Sequence, residues 1–264
     1  MNERLNIRRM QVPEKPETGW EFDPRTYIPE KDWVEMTASF RTKGSKRWED
    51  VLAESASMKV LDEKRMRSFS NSNWAAIEQS LQDLRDNSQW FNFFRTLADV
   101  RIVNPEFPVQ VWAEDPYWAN GLAQLDAYCK QGEWPNAGML AEAMKILRPH
   151  ERVVSPEQWE GLHHAFEESH QRADWQTFTF LGVVMKILDS TRAPVLTGRE
   201  WEGLRTELAE AREEGWLSYA NTARDMYILA GGRVEFTDKG LIVHAPIKKA
   251  FTTKPPPPPG SLEM

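Results

Sequence analysis

Residues 159–188 read WEGLHHAFEESHQRADWQTFTFLGVVMKIL, and this stretch decides which fold the sequence predicts. Its first tryptophan is followed three and seven residues later by Leu162 and Phe166. Side chains with this spacing lie on one stripe of a helix. A polar turn at residues 172–174 separates this segment from a second apolar segment that begins at Trp175. The stretch therefore predicts a hairpin of two helices.

The same pattern occurs five times in the chain, which has 264 residues and twelve tryptophans. The first tryptophans of the copies are Trp33, Trp74, Trp118, Trp159 and Trp201. The second tryptophans are Trp48, Trp90, Trp134, Trp175 and Trp216. Ten residues after each second tryptophan, a short apolar motif begins at Met58, Val100, Met144, Met185 and Met226. Five copies with a near-constant period indicate a tandem repeat.

Start signals separate consecutive hairpins. Ser155 with Pro156, and Thr197 with Glu200, are capping signals before the fourth and fifth copies. One hairpin cannot bury its own apolar stripe, so the five hairpins are expected to stack. The predicted hairpins cover residues 29–70, 71–113, 114–154, 155–196 and 197–230.

Stacked helical hairpins of this length resemble α-solenoids of the HEAT and tetratricopeptide type. The period of about 42 residues is typical of HEAT and armadillo repeats and differs from the roughly 34 residues of tetratricopeptide repeats. The resemblance covers the architecture of residues 29–230 and identifies no particular family. It implies a mainly α fold, a right-handed solenoid with one long curved surface and two free ends.

The segments that flank the repeats have a different character. Residues 1–28 are polar and contain three prolines, which predicts an irregular N-terminal arm. Residues 231–250 contain two short apolar runs around Asp238-Lys239-Gly240, which predicts a β-hairpin that caps the last helical hairpin. The run from Pro255 to Pro259 predicts a disordered or polyproline II tail over residues 251–264.

Composition argues against several classes of protein. The single cysteine, Cys129, excludes a disulfide framework and a cysteine-based zinc cluster and suits a reducing compartment. A net charge of −7 argues against a dedicated nucleic-acid-binding protein. The sequence has no run of about 18 apolar residues and no apolar core near residue 1, so we expect a cytoplasmic protein without a membrane span.

One set of residues recurs at the second position of the apolar motif. We call it the ladder, and its members are Lys59, Arg101, Lys145, Lys186 and Tyr227. In a stack of hairpins, equivalent positions form a row along one surface, which could bind an acidic peptide or a phosphate backbone. The alternative is that these cations only complement the dipole in the last turn of each second helix.

Other candidate sites carry weaker signals. His163, Glu167 and His170 lie on one face of a helix, but no histidine recurs in the other repeats, so we expect no metal site. Lys130 could lower the pKa of the neighbouring Cys129 thiol, but no base is evident. Trp20 and Trp112 fall outside the repeat and are expected to be exposed contacts, whereas the ten repeated tryptophans are expected in the core.

The chain lacks the sequence motifs of hydrolases, phosphate-binding loops, zinc proteases and dinucleotide-binding enzymes. We therefore expect a non-catalytic, cofactor-free scaffold or adaptor that binds a protein or peptide partner on the solenoid surface. The alternative is an accessory protein that binds nucleic acid through the ladder and a basic patch at Arg41, Lys43, Lys46 and Arg47. A third possibility is that the proline-rich tail is a ligand for a polyproline-binding domain. Convergent titratable groups in a deep pocket would instead favour an enzyme.

Overall fold

The computed structural model describes residues 27–42, 47–231, 234–237 and 240–243. Within these ranges the chain forms eleven α-helices and two β-strands. The helices are α1 (Glu30–Thr42), α2 (Trp48–Asp62), α3 (Asn71–Asp86), α4 (Trp90–Val103), α5 (Val109–Trp112), α6 (Asp115–Gln131), α7 (Trp134–Leu147), α8 (Pro156–Arg172), α9 (Trp175–Leu188), α10 (Gly198–Glu214) and α11 (Trp216–Ala230). A 3-10 helix spans Glu63–Arg65, and the strands are β1 (Val234–Thr237) and β2 (Gly240–Val243).

The predicted mainly α fold of five helical hairpins with a small C-terminal β-hairpin is confirmed. The first helix of every hairpin begins three residues before its first tryptophan, and the second helix begins at its second tryptophan. Both predicted capping boxes form; the Ser155 hydroxyl, for example, accepts a hydrogen bond of 3.2 Å from the Gln158 amide. The arm before residue 27 and the proline-rich tail lie outside the described residues.

The second helices of the five hairpins form a closed ring. In chain order these inner helices are α2, α4, α7, α9 and α11; each packs against the next, and α11 packs against α2. The first helices, α1, α3, α6, α8 and α10, lie outside the ring, and each contacts the inner helix of the preceding hairpin. The outer helix α1 of the first hairpin contacts α11 of the last in the same way. The hairpins therefore close into an α/α barrel, whereas the resemblance had implied a solenoid with two free ends.

Side-chain hydrogen bonds join the first hairpin to the last. The Ser57 hydroxyl donates to the Asn221 side-chain oxygen at 2.7 Å, and Arg212 Nη2 donates to Asp32 Oδ1 at 2.8 Å. The first and last hairpins therefore pack against each other, so the two ends of the stack are not free. Of the basic patch, only the Arg47 side chain lies within the described residues, where it pairs with Asp50 at 3.6 Å. The right-handed sense of the stack remains a prediction.

The two columns of tryptophans have different environments. Four of the five first tryptophans are buried, and Trp74 is partly buried. The second tryptophans are all partly buried and pack between hairpins. Trp175 lies over the backbone of the next outer helix, where a Cβ atom on Gly203 would come within 2.3 Å of the indole. Trp134 lies over Gly161 in the same way, which explains the Trp-Glu-Gly-Leu sequence at the start of α8 and α10.

Arginines add a further contact within three of the hairpins. Each follows the inner helix and places its guanidinium over the first tryptophan of the same hairpin, at a distance that favours a cation–π interaction. The distances to the ring centroid are 5.0 Å for Arg65 over Trp33, 4.4 Å for Arg148 over Trp118 and 4.2 Å for Arg192 over Trp159.

The β-hairpin packs differently from the prediction. Its strands pair antiparallel in a register that places Val234 opposite Val243. Strand β2 packs against α2 and α4, which belong to the first two hairpins rather than to the last. Ring closure explains this position, because it brings the first hairpin next to the end of α11. Among the described residues, no helix is long and apolar enough to cross a membrane.

Candidate functional site in the centre of the ring

The most buried ladder cation, Lys186, and the matching Lys59 support the ring itself. Lys186 Nζ donates to the main-chain oxygen of Leu229 at 2.9 Å and also to that of Gly231. Lys59 Nζ donates to the main-chain oxygen of Val103 at 3.3 Å. In both cases the cation reaches the carboxyl end of the next inner helix, whose last carbonyls lack a partner within the helix. Burial lowers the pKa of Lys186 to about 8.

The other ladder residues also have structural contacts. Lys145 Nζ donates to the main-chain oxygen of Glu151 at 3.1 Å, and Arg101 donates to that of Pro105. Tyr227 is partly buried against the core. These contacts agree with the helix-dipole alternative, and partner binding by the ladder remains a prediction.

A cavity of about 360 Å³ lies in the centre of the ring. Four inner helices, α4, α7, α9 and α11, line it, together with Glu207 from the outer helix α10. These inner helices run in the same direction, and their amino-terminal ends contribute Pro135, Gln176 and Ser218. Pro135, Gln176 and the deeper Arg95 are exposed to solvent, so the cavity opens at the amino-terminal ends of the inner helices.

Six charged side chains line this cavity: Arg95, Asp99, Glu142, Glu207, Arg224 and Asp225. Glu207 comes from α10, whereas the other five come from three inner helices and influence each other electrostatically. Arg224 and Asp225 form an ion pair, in which Nε and Nη2 both approach Oδ1, at 2.8 and 2.7 Å. Charges inside a protein are costly unless they are paired, so the carboxyls of Asp99 and Glu142 are the informative ones.

Asp99 and Glu142 have neither a hydrogen bond nor an ion pair within 4 Å among the described residues. Burial raises the pKa of Asp99 to about 6, although Arg95 and Arg224 act against it. Burial raises the pKa of Glu142 to about 7, again against Arg224. Both carboxyls keep some accessible surface, so they face the cavity rather than sealed protein. They can exchange protons near neutral pH, as catalytic and ligand-binding carboxyls often do.

Arg95 lies one helical turn before Asp99, towards the opening of the cavity. Its guanidinium lies 5.4 Å from the centroid of the Phe91 ring. Within the described residues it forms no ion pair within 4 Å, so its donors remain available to a ligand at the opening.

Neutral polar groups complete the wall of the cavity. Gln176, Thr177 and Thr222 come from α9 and α11, near the opening. Apolar side chains such as Met139 and Phe180 cover other parts of the wall. A small set of polar groups on a partly apolar wall is the usual composition of a site for small molecules.

One position of the sequence repeat carries a signal for this cavity. Glu142 and Arg224 occupy the same position, eight residues after the second tryptophan, where the other copies carry Ala56, Ala98 and Val183. A charged residue in an otherwise small and apolar column indicates either a buried polar site or an exposed face. Only the closed ring shows that this column faces a cavity.

His163 and His170 have different neighbours. His163 Nδ1 lies 3.5 Å from a Glu167 oxygen on the solvent side, while His170 Nε2 lies 3.3 Å from Glu200 on α10. His170 also packs against the ring of Trp175, so it does not share a solvated face with His163. No group of three metal-ligating residues occurs in the part of the chain that the structure describes.

The structure differs from the sequence analysis at Cys129 and at Trp112. Burial, and then Asp126, raise the pKa of the Cys129 thiol, while Lys130, which could have lowered that pKa, pairs with Asp126. Trp112 is partly buried and stacks on Phe107, with ring centroids 6.5 Å apart. Trp20, which was expected to be exposed, lies outside the described residues.

No protein-family model matches the chain, and neither a curated protein nor a solved structure is significantly similar to it.

Proposed function

We propose that the protein binds a small polar molecule in the central cavity of the helical ring. The observation that carries this proposal is the convergence of Arg95, Asp99 and Glu142 on one open cavity, with no ion pair within 4 Å for any of them among the described residues. A fold that only had to be stable would gain by replacing the two buried carboxyls with apolar side chains. Their presence is explained if a ligand supplies the missing partners.

The size and opening of the cavity support a compact ligand. A volume of about 360 Å³ is near the lower end of the range for small-molecule sites, about 300–1,000 Å³. The opening lies at the amino-terminal ends of four parallel helices, whose dipoles favour a negatively charged group there. Proton exchange by Asp99 and Glu142 makes acid–base chemistry on the bound molecule possible.

Equilibrium dialysis against a cell extract of small metabolites, followed by mass spectrometry, tests the proposal. We expect the native protein to enrich at least one compound and the cavity-filling variant Ala143→Trp to lose it, because Ala143 lines the cavity. Thr222→Trp, nearer the opening, is a second such variant, in case Ala143→Trp does not fold. The control is Gln79→Trp on the exposed face of α3. If no compound is enriched, or if all variants enrich it equally, the proposal is wrong.

The scaffold function, the nucleic-acid alternative and the cytoplasmic location remain predictions. Ring closure removes the open-ended surface on which the scaffold prediction rested, but the outer helices still offer a surface to a protein partner. A salt-sensitive shift of labelled RNA at about 50 mM salt would support the nucleic-acid alternative, and no shift would exclude it.

A further inference from the structure

We infer that the ligand of the central cavity is a basic α-amino acid, with its two positively charged groups at Asp99 and Glu142 and its carboxylate at Arg95; this inference rests on the proposed function. On the inner helices, two carboxyls and one guanidinium have no ion pair within 4 Å among the described residues. A ligand with two positive groups and one negative group complements these three side chains. Such a ligand has a net charge of +1, opposite to the net charge that the three side chains carry when ionised.

The other charged groups of the cavity agree with a cationic ligand. Arg224 and Asp225 cancel each other in their ion pair. Glu207, contributed by α10, adds a further negative charge to the wall. A ligand with a net negative charge would therefore meet unfavourable charge over most of the cavity.

The positions of the charges along the cavity give the orientation of the ligand. Arg95 lies towards the opening, one helical turn from Asp99, and Glu142 faces the same space from the neighbouring helix α7. The carboxylate is thus placed at the opening, near Arg95 and the helix amino termini, where the dipoles also favour it. The positively charged groups are placed deeper, and the aliphatic part of the ligand faces apolar residues such as Met139.

Isothermal titration of the full chain with L-lysine, L-ornithine and L-arginine tests the inference. We expect saturable binding of at least one of them, with 1:1 stoichiometry. The matched probe is the amine that the best ligand would give without its carboxylate: cadaverine for lysine, putrescine for ornithine and agmatine for arginine. Loss of one charge-assisted contact should weaken binding of the amine by about tenfold to a hundredfold.

Variants connect the probes to individual side chains. Arg95→Met should weaken binding of the amino acid by about the same factor, whereas binding of the matched amine should not weaken, because the amine has no carboxylate and the guanidinium repels it. Glu142→Gln and Asp99→Asn should weaken both probes. The control is Arg172→Met, because Arg172 is exposed on α8, away from the cavity. Circular dichroism and thermal melting establish that each variant is folded.

The outcomes separate this inference from the proposed function. No binding of the three amino acids, together with dialysis enrichment of another compound, would overturn the inference and leave the proposed function standing. No binding and no enrichment would overturn both. Equal effects of Arg95→Met on the amino acid and its amine would also overturn the inference, because the guanidinium would then not bind the carboxylate.

Discussion

Charged groups at the junctions between hairpins have hydrogen-bond partners, whereas two carboxyls in the central cavity have none among the described residues. At the junctions, Lys59 and Lys186 donate to carbonyls of the next hairpin, and tryptophans pack so closely on glycines that a Cβ atom would not fit. In the cavity, Asp99 and Glu142 have neither a hydrogen bond nor an ion pair within 4 Å among the described residues, and their burial costs stability. The difference indicates that the junctions hold the ring together, whereas the cavity keeps charges that folding alone does not need.

The largest expected effect is at a junction. Lys186→Glu places a buried carboxylate against two carbonyl oxygens, which are acceptors only, and should cost about 4 kcal/mol. The thermal midpoint should fall by roughly 10 °C, as measured by calorimetry. Lys145→Glu is the matched control, because Lys145 is less buried and donates to one carbonyl of a loop.

If the two charge reversals lower the midpoint equally, Lys186 is not the interior contact described above. The ladder would then be a surface row, as the sequence alone first suggested, and its role in partner binding would gain support.

A smaller loss is expected where an indole covers a glycine. Gly203→Ala brings a Cβ atom into the ring of Trp175, and overpacking of this kind costs roughly 1–3 kcal/mol. The better helix propensity of alanine offsets about 1 kcal/mol of this cost. The free energy of unfolding should therefore still fall, and the thermal midpoint should be lower by a few degrees. Gly138→Ala is the control, since its new Cβ atom would meet side chains no closer than 3.3 Å. Equal midpoints for the two variants would show that Trp175 does not pack tightly on α10.

A substitution that removes a charge from the cavity should instead raise the stability of the fold. The pKa of Glu142 rises from 4.5 to about 7 on folding, so the folded protein binds the proton more tightly than the unfolded chain. The ionised carboxylate therefore destabilises the fold increasingly as the pH rises from about 4.5 to about 7. Glu142→Gln removes this cost and should stabilise the protein by about 2 kcal/mol near pH 8.

The measurement is the thermal midpoint as a function of pH. The advantage of Glu142→Gln over the native protein should shrink towards zero as the pH falls to about 5. Glu78→Gln, on the exposed face of α3, should change little at any pH. A destabilising Glu142→Gln near pH 8 would mean that this carboxylate is already paired, and the case for a ligand at Glu142 would fail.

Much of the fold is predictable from local patterns. The spacing of Trp159, Leu162 and Phe166 describes one helix, and each second tryptophan marks the start of the next. These signals are short-range, because they follow from the periodicity of a single helix and its caps. The same locality explains why Trp112, which falls outside the repeat, was assigned to the surface although it packs on Phe107.

Ring closure was not predictable in this way. An open stack and a closed ring of hairpins use the same stripes within each repeat and differ only in the small rotation between neighbours. The contacts that close the ring, such as Ser57 with Asn221, join residues 164 positions apart and have no local signature. The cavity site was not predictable either, because Glu142 on α7 and Arg224 on α11 face one space only when the ring is closed.

The distance between the first and last hairpins tests the ring most directly. Nitroxide labels at Val34→Cys on α1 and Glu213→Cys on α10, in a Cys129→Ser background, can be measured by double electron–electron resonance. Neighbouring helices lie about 10 Å apart, so the closed ring predicts one narrow distance of roughly 20 Å between the labels. An open stack would separate its terminal hairpins by four such steps, and a distance of roughly 40 Å or more would contradict the ring and the cavity within it.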